Sequence, residues 1–67
     1  MNNIEKTELE ILHFMKNRKD ETPKKTSIQL YDDTLTAFND FYENFDYFTK
    51  ADVLNFLLQY AMNNLSN

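Results

Sequence analysis

Neither glycine nor cysteine occurs anywhere in these 67 residues, and this double absence removes most of the devices by which so short a chain holds a fold. A chain of this size buries only about 60% of its unfolded surface, so one hydrophobic core is marginal support. Without cysteine there is no disulfide and no thiolate metal site to reinforce it. Below about 70–80 residues the remaining supports are a bound metal, dense packing or a partner chain. Association with a second copy is therefore the first expectation. Without glycine there is also no phosphate-cradling loop, and helix ends must be closed by other residues.

Several function classes fall next. Seven basic and eleven acidic residues give a net charge of −4. No apolar run is longer than three residues, as in Phe56-Leu57-Leu58, so no membrane span is expected. The polar start of the chain lacks the basic-then-apolar order of a signal peptide. A chain without cysteine suits a reducing cytoplasm, which is the expected location. With 42% hydrophobic and 15% aromatic residues, the chain is too apolar to be wholly disordered. Its single histidine, His13, has no nucleophile or ligand set at catalytic or metal-binding spacing. No enzymatic activity, catalytic residue, metal or cofactor is expected.

Composition divides the chain into zones. Over residues 1–15, Ile4, Ile11, Leu12 and Met15 share one face at helical spacing, and Glu5, Glu8 and Glu10 sit early, where carboxylates favour a helix start. A short amphipathic helix is predicted there. Residues 16–25 form a polar linker with five cations against two carboxylates. Such a run suits a solvated tether or a basic arm that follows a polyanion. The expected domains are thus an N-terminal helix with basic linker, 1–23, and a folded unit, 24–67.

Thr26-Ser-Ile-Gln-Leu-Tyr31 alternates with period two, placing Ile28 and Leu30 on one side and Lys25, Ser27 and Gln29 on the other. This is the pattern of a half-buried strand. Asp32 or Asp33 then offers an N-cap for a helix carrying Leu35, Phe38, Tyr42 and Phe45, which ends near Asn44. Thr49 and Asp52 have capping-box spacing, and Phe48 precedes them as a staple onto Val53. A further helix follows from about Lys50 to Asn64, with an apolar stripe of Val53, Leu54, Leu57, Leu58, Ala61 and Leu65. The aromatics from Phe38 to Phe48 have the helical spacing of core residues rather than of a base-stacking surface.

Only one segment reads as a strand, and an isolated strand leaves its backbone groups unpaired. Pairing with the same segment of a second copy about a two-fold axis is the expected remedy. The order strand, cap, helix, polar turn, helix over about residues 24–65 resembles the ribbon-helix-helix family of prokaryotic DNA-binding proteins. That resemblance implies a mainly α, ribbon-helix-helix homodimer with an intermolecular two-stranded antiparallel sheet, plus an N-terminal helical extension. It implies that Lys25, Ser27 and Gln29 read bases in the major groove. It also implies that Thr49, Lys50 and Ala51 hold a phosphate at the start of the last helix, with Lys24 adding a contact beside the strand. Ile28, Leu30, Leu35, Phe38, Val53, Leu54 and Leu57 would fill the dimer core.

The implied function is a sequence-specific double-stranded DNA-binding regulator, a repressor in a plasmid or phage setting, with dimers side by side on repeated sites. Its net charge is a counterweight, because residues 24–67 hold three lysines against six carboxylates. The alternative function is a protein-interaction module on the same scaffold, such as an antitoxin or small inhibitor. The alternative fold is a monomeric three-helix bundle in which residues 26–31 are an extended linker.

Overall fold

Asn2 and Thr49 begin the two longest helices by the same chemistry. Free amides in a first helical turn need acceptors, and a short polar side chain just outside the helix supplies one. Asn2 Oδ1 accepts the Glu5 amide at 2.8 Å, and Thr49 Oγ1 accepts the Asp52 amide at 3.1 Å. The computed structural model describes residues 2–66, with helices α1 (Asn3–Lys16), α2 (Asp32–Tyr42) and α3 (Lys50–Leu65). A single 3₁₀ turn, Glu43–Phe45, continues from α2.

The middle helix starts differently. Its N-cap is Tyr31, which makes no side-chain capping bond, and Asp33 Oδ1 instead accepts the adjacent Thr34 amide at 2.8 Å. The expected aspartate cap has therefore moved inside the helix, where Asp32 and Asp33 act on the dipole of the first turn. At the other end, Asn44 lies within the 3₁₀ turn, and its side-chain amide donates to the Phe41 carbonyl at 3.2 Å. Tyr42 Oη donates to the Phe48 carbonyl, which ties the end of α2 to the entry of α3.

Ile11 of α1, Phe45 of the 3₁₀ turn, and Val53 and Phe56 of α3 are the buried apolar residues, with Ile11 and Val53 both fully enclosed. Phe14, Met15, Phe38, Phe41, Tyr42, Phe48 and Leu57 pack around them. Edge-on packing of Phe14 against Phe56, with centroids 5.9 Å apart, joins α1 to α3. Phe41 and Phe45 lie closer still, at 5.0 Å. The buried face of α1 is therefore turned from the one expected. Phe14 packs inward, whereas Ile4 and Leu12 remain exposed.

The expected ribbon is absent. Residues 21–31 carry neither helix nor strand, and no strand or sheet occurs among the described residues. The ribbon-helix-helix fold with its intermolecular sheet is thereby replaced by three helices and a connecting segment, in line with the alternative arrangement. The physical reason is that alternation supplies only a preference. A strand also needs a neighbour for its amides and carbonyls, and this chain holds no second strand among its described residues. Nor is the segment half-buried, because every residue from Glu21 to Ala37 is exposed, with Ile28 at 62%.

The cap on α3 yields a first prediction. Thr49→Ala should destabilise the chain by about 1 kcal/mol, and so lower its melting temperature by about 4–8 °C. Thermal denaturation followed by circular dichroism measures this. Thr49→Ser should restore most of the loss. An unchanged melting temperature in the alanine variant would mean that the cap contributes nothing.

Candidate functional site

The strongest departure from the chain's acidic average lies at the end of α1 and in the connection to α2. Five of its seven cations, Lys16, Arg18, Lys19, Lys24 and Lys25, fall within residues 16–25 beside Asp20 and Glu21. The rest of the chain holds two lysines against nine carboxylates. The molecule is thus polarised, with a cationic connection attached to an anionic helical body.

Local bonding shapes the start of this connection. The Arg18 amide donates to the Met15 carbonyl at 2.9 Å, and the Glu21 amide to the Arg18 carbonyl at 3.0 Å, so the chain coils once more after α1. The Arg18 guanidinium lies 4.6 Å from the centre of the Phe14 ring and pairs with Glu21 at 3.3 Å. This is the one ion pair among the described residues. It is solvent-exposed, so it contributes little to stability. Arg18 is held at the edge of the helical body by its aromatic partner, a role the sequence pattern did not single out. Lys16, Lys19, Lys24 and Lys25 are exposed.

The residues expected to read bases, Lys25, Ser27 and Gln29, are all exposed on the same connecting segment. Those expected to hold phosphate divide. Lys24 is exposed within the cationic run. At the start of α3, Thr49 is engaged in capping, and Lys50 Nζ donates to Asn39 Oδ1 at 3.1 Å and lies 5.7 Å from the Tyr42 ring centre. Both side chains thus have partners within the chain, and Ala51 is exposed beside them. Of the expected core residues, Val53 is fully enclosed, Phe38 and Leu57 pack against the core, and Leu54 is half-buried. Ile28, Leu30 and Leu35 stay exposed.

A second feature is an open groove of about 770 Å³ between α1 and α3, floored by Phe14, Phe56 and Tyr60. His13 lines it, and its Nε2 lies 3.5 Å from the side-chain nitrogen of Asn17, one turn further along α1. Among the described residues no three histidine, aspartate or glutamate side chains converge as a metal site requires. No described helix is long and apolar enough to cross a membrane.

The chain matches no family model, no curated protein and no solved structure. Its functional reading rests on its own charge distribution and exposed groups.

Proposed function

We propose that this chain is a sequence-specific double-stranded DNA-binding regulator, acting as a repressor, that contacts DNA through the exposed connection between α1 and α2. One observation carries the reading: five of seven cations are gathered into ten residues of an otherwise acidic chain. Affinity for a duplex comes largely from neutralising phosphates and releasing their counterions. A compact cationic segment does this even when the net charge is negative, because field and contact are local. The anionic helical body is repelled by the same phosphates, which favours approach by the connection first.

The residues that follow supply the means of discrimination. Gln29 can bond bidentately to adenine N6 and N7, Lys25 can donate to guanine O6 and N7, and Ser27 can do either. All three are exposed, Lys25 at the end of the cationic run and Ser27 and Gln29 directly after it. The cations would position the segment, and these three side chains would select the sequence.

Selection of bound duplexes from a random pool, followed by gel-shift titration, tests the reading. Lys25→Ala combined with Gln29→Ala should cost roughly 1–3 kcal/mol for each base interaction removed, with the melting temperature unchanged. Equal affinity and equal sequence preference in the double variant would refute base reading by these residues. A protein-interaction module is the second reading, supported by Ile28 and Tyr31, which are 62% and 84% exposed in the same segment. Failure of the pool to yield any preferred duplex favours it.

A further inference from the structure

The last helix is apolar around much of its circumference, and only part of that surface is covered. At 100° per residue, Val53, Phe56 and Leu57 lie on the side that meets the core, with the half-exposed Tyr60 at its edge beside α1. Leu54, Leu58, Ala61 and Leu65 fall at successive steps of four, three and four residues, which aligns them on a stripe about 120° round the helix from the core side. Most of that stripe faces water: Leu54 is half-buried, but Ala61 is exposed, Leu58 is 46% exposed and Leu65 85%, with the neighbouring Met62 at 54%. A helix with apolar residues around most of its circumference belongs inside an assembly, not at its surface.

Charge marks the same surface. From Val53 to Asn67 there is not one Asp, Glu, Lys, Arg or His, in a chain that is 27% charged. Depletion of charge is a mark of an interface core. The chain also exposes more surface than a folded monomer of its mass should: 5953 Å² against about 4,500 Å² expected for 8.1 kDa. The excess, part of which lies in the connecting segment, is as large as one partner's share of a stable dimer interface.

We infer that this stripe is the contact surface for a second copy of the same chain, formed by α3 against α3 in antiparallel orientation. Two copies that each carry −4 repel one another over most of their surfaces, and the uncharged stripe is where that repulsion is least. The spacing is self-complementary. A two-fold axis opposes Leu54 to Leu65 of the partner subunit, and Leu58 to Ala61 of the partner subunit. The small Ala61 admits Leu58 at the centre, and the larger pairs close the ends. A partner of opposite charge would find nothing to hold on this stripe and would dock on the acidic faces instead. The contact uses helices alone, leaves residues 26–31 unpaired, and does not depend on DNA binding.

Sedimentation equilibrium of the full chain, without DNA and across a dilution series, tests the inference. The wild-type chain should sediment at twice its 8.1 kDa mass and dissociate on dilution. Leu58→Glu with Leu65→Glu should sediment at the single-chain mass with its helical circular dichroism retained. If that double variant loses helix, Leu65→Glu alone decides the matter, because a side chain 85% exposed in the single chain contributes little to its own core. It should weaken association while leaving the helix signal unchanged. A wild-type chain that stays at single mass at every concentration, or Leu65→Glu chains that associate as tightly as wild type, would overturn the inference.

Discussion

Phe45→Ala should remove a large part of this chain's stability and move its urea unfolding midpoint far below the wild-type value. The side chain is 2% exposed and is one of only four buried apolar residues among those described. It also joins the segments that come before and after it. Phe41 packs on it from the end of α2, and Val53 and Phe56 meet it from α3. Phe-to-Ala changes in cores cost about 3–5 kcal/mol. A chain of this length has a total stability of about 3–10 kcal/mol. One substitution therefore removes a large part of the whole, with few other buried residues to compensate. Urea titration by circular dichroism reads the effect directly. A cooperative transition with its midpoint near the wild-type value would show that the core lies elsewhere.

Neutralising the connection should have the largest effect on function. Replacing Lys16, Arg18, Lys19, Lys24 and Lys25 with glutamine should abolish measurable duplex binding. The reason can be put as a salt dependence. Each neutralised phosphate contributes about −0.9 to the slope of log affinity against log salt, so five such pairings give about −4.5. A fourfold rise in salt then costs the wild-type chain roughly 500-fold in affinity. The substituted chain has no such slope to lose. All five side chains are exposed or only half-buried, so the fold should survive the change. Fluorescence anisotropy with a labelled duplex at several salt concentrations measures both arms. A substituted chain that binds as tightly as wild type, with the same slope, would place the DNA contact elsewhere or remove it.

The two outer helices were legible from local chemistry. The first was expected over residues 1–15 and is Asn3–Lys16; the last was expected from about Lys50 to Asn64 and is Lys50–Leu65. The Thr49 cap was legible for the same reason, since a hydroxyl three residues before a helical amide is a purely local feature. What depended on other parts of the chain was less so. Spacing alone favoured Ile4 and Leu12 as buried partners of Ile11, but the position of Phe56 draws Phe14 inward instead. The alternation in residues 26–31 was real, yet it carried no information on whether a pairing edge would be present. Lys25, Ser27 and Gln29 could be recognised as polar and outward-facing, whereas the placement of Arg18 over Phe14 needed the turn after α1 to bring them together.

The backbone contains no residue with positive φ among the described positions, and every reversal of direction is made in right-handed or extended conformations. Such turns place no demand on side-chain identity through backbone sterics. Outside the capping Thr49 and the residues proposed to meet DNA, substitutions in the connections are therefore limited by packing and charge rather than by backbone conformation. The denatured ensemble gains as well as loses by this. Lacking the most flexible residue type, it has fewer conformations to surrender when the helices form, an entropic advantage for so slight a body.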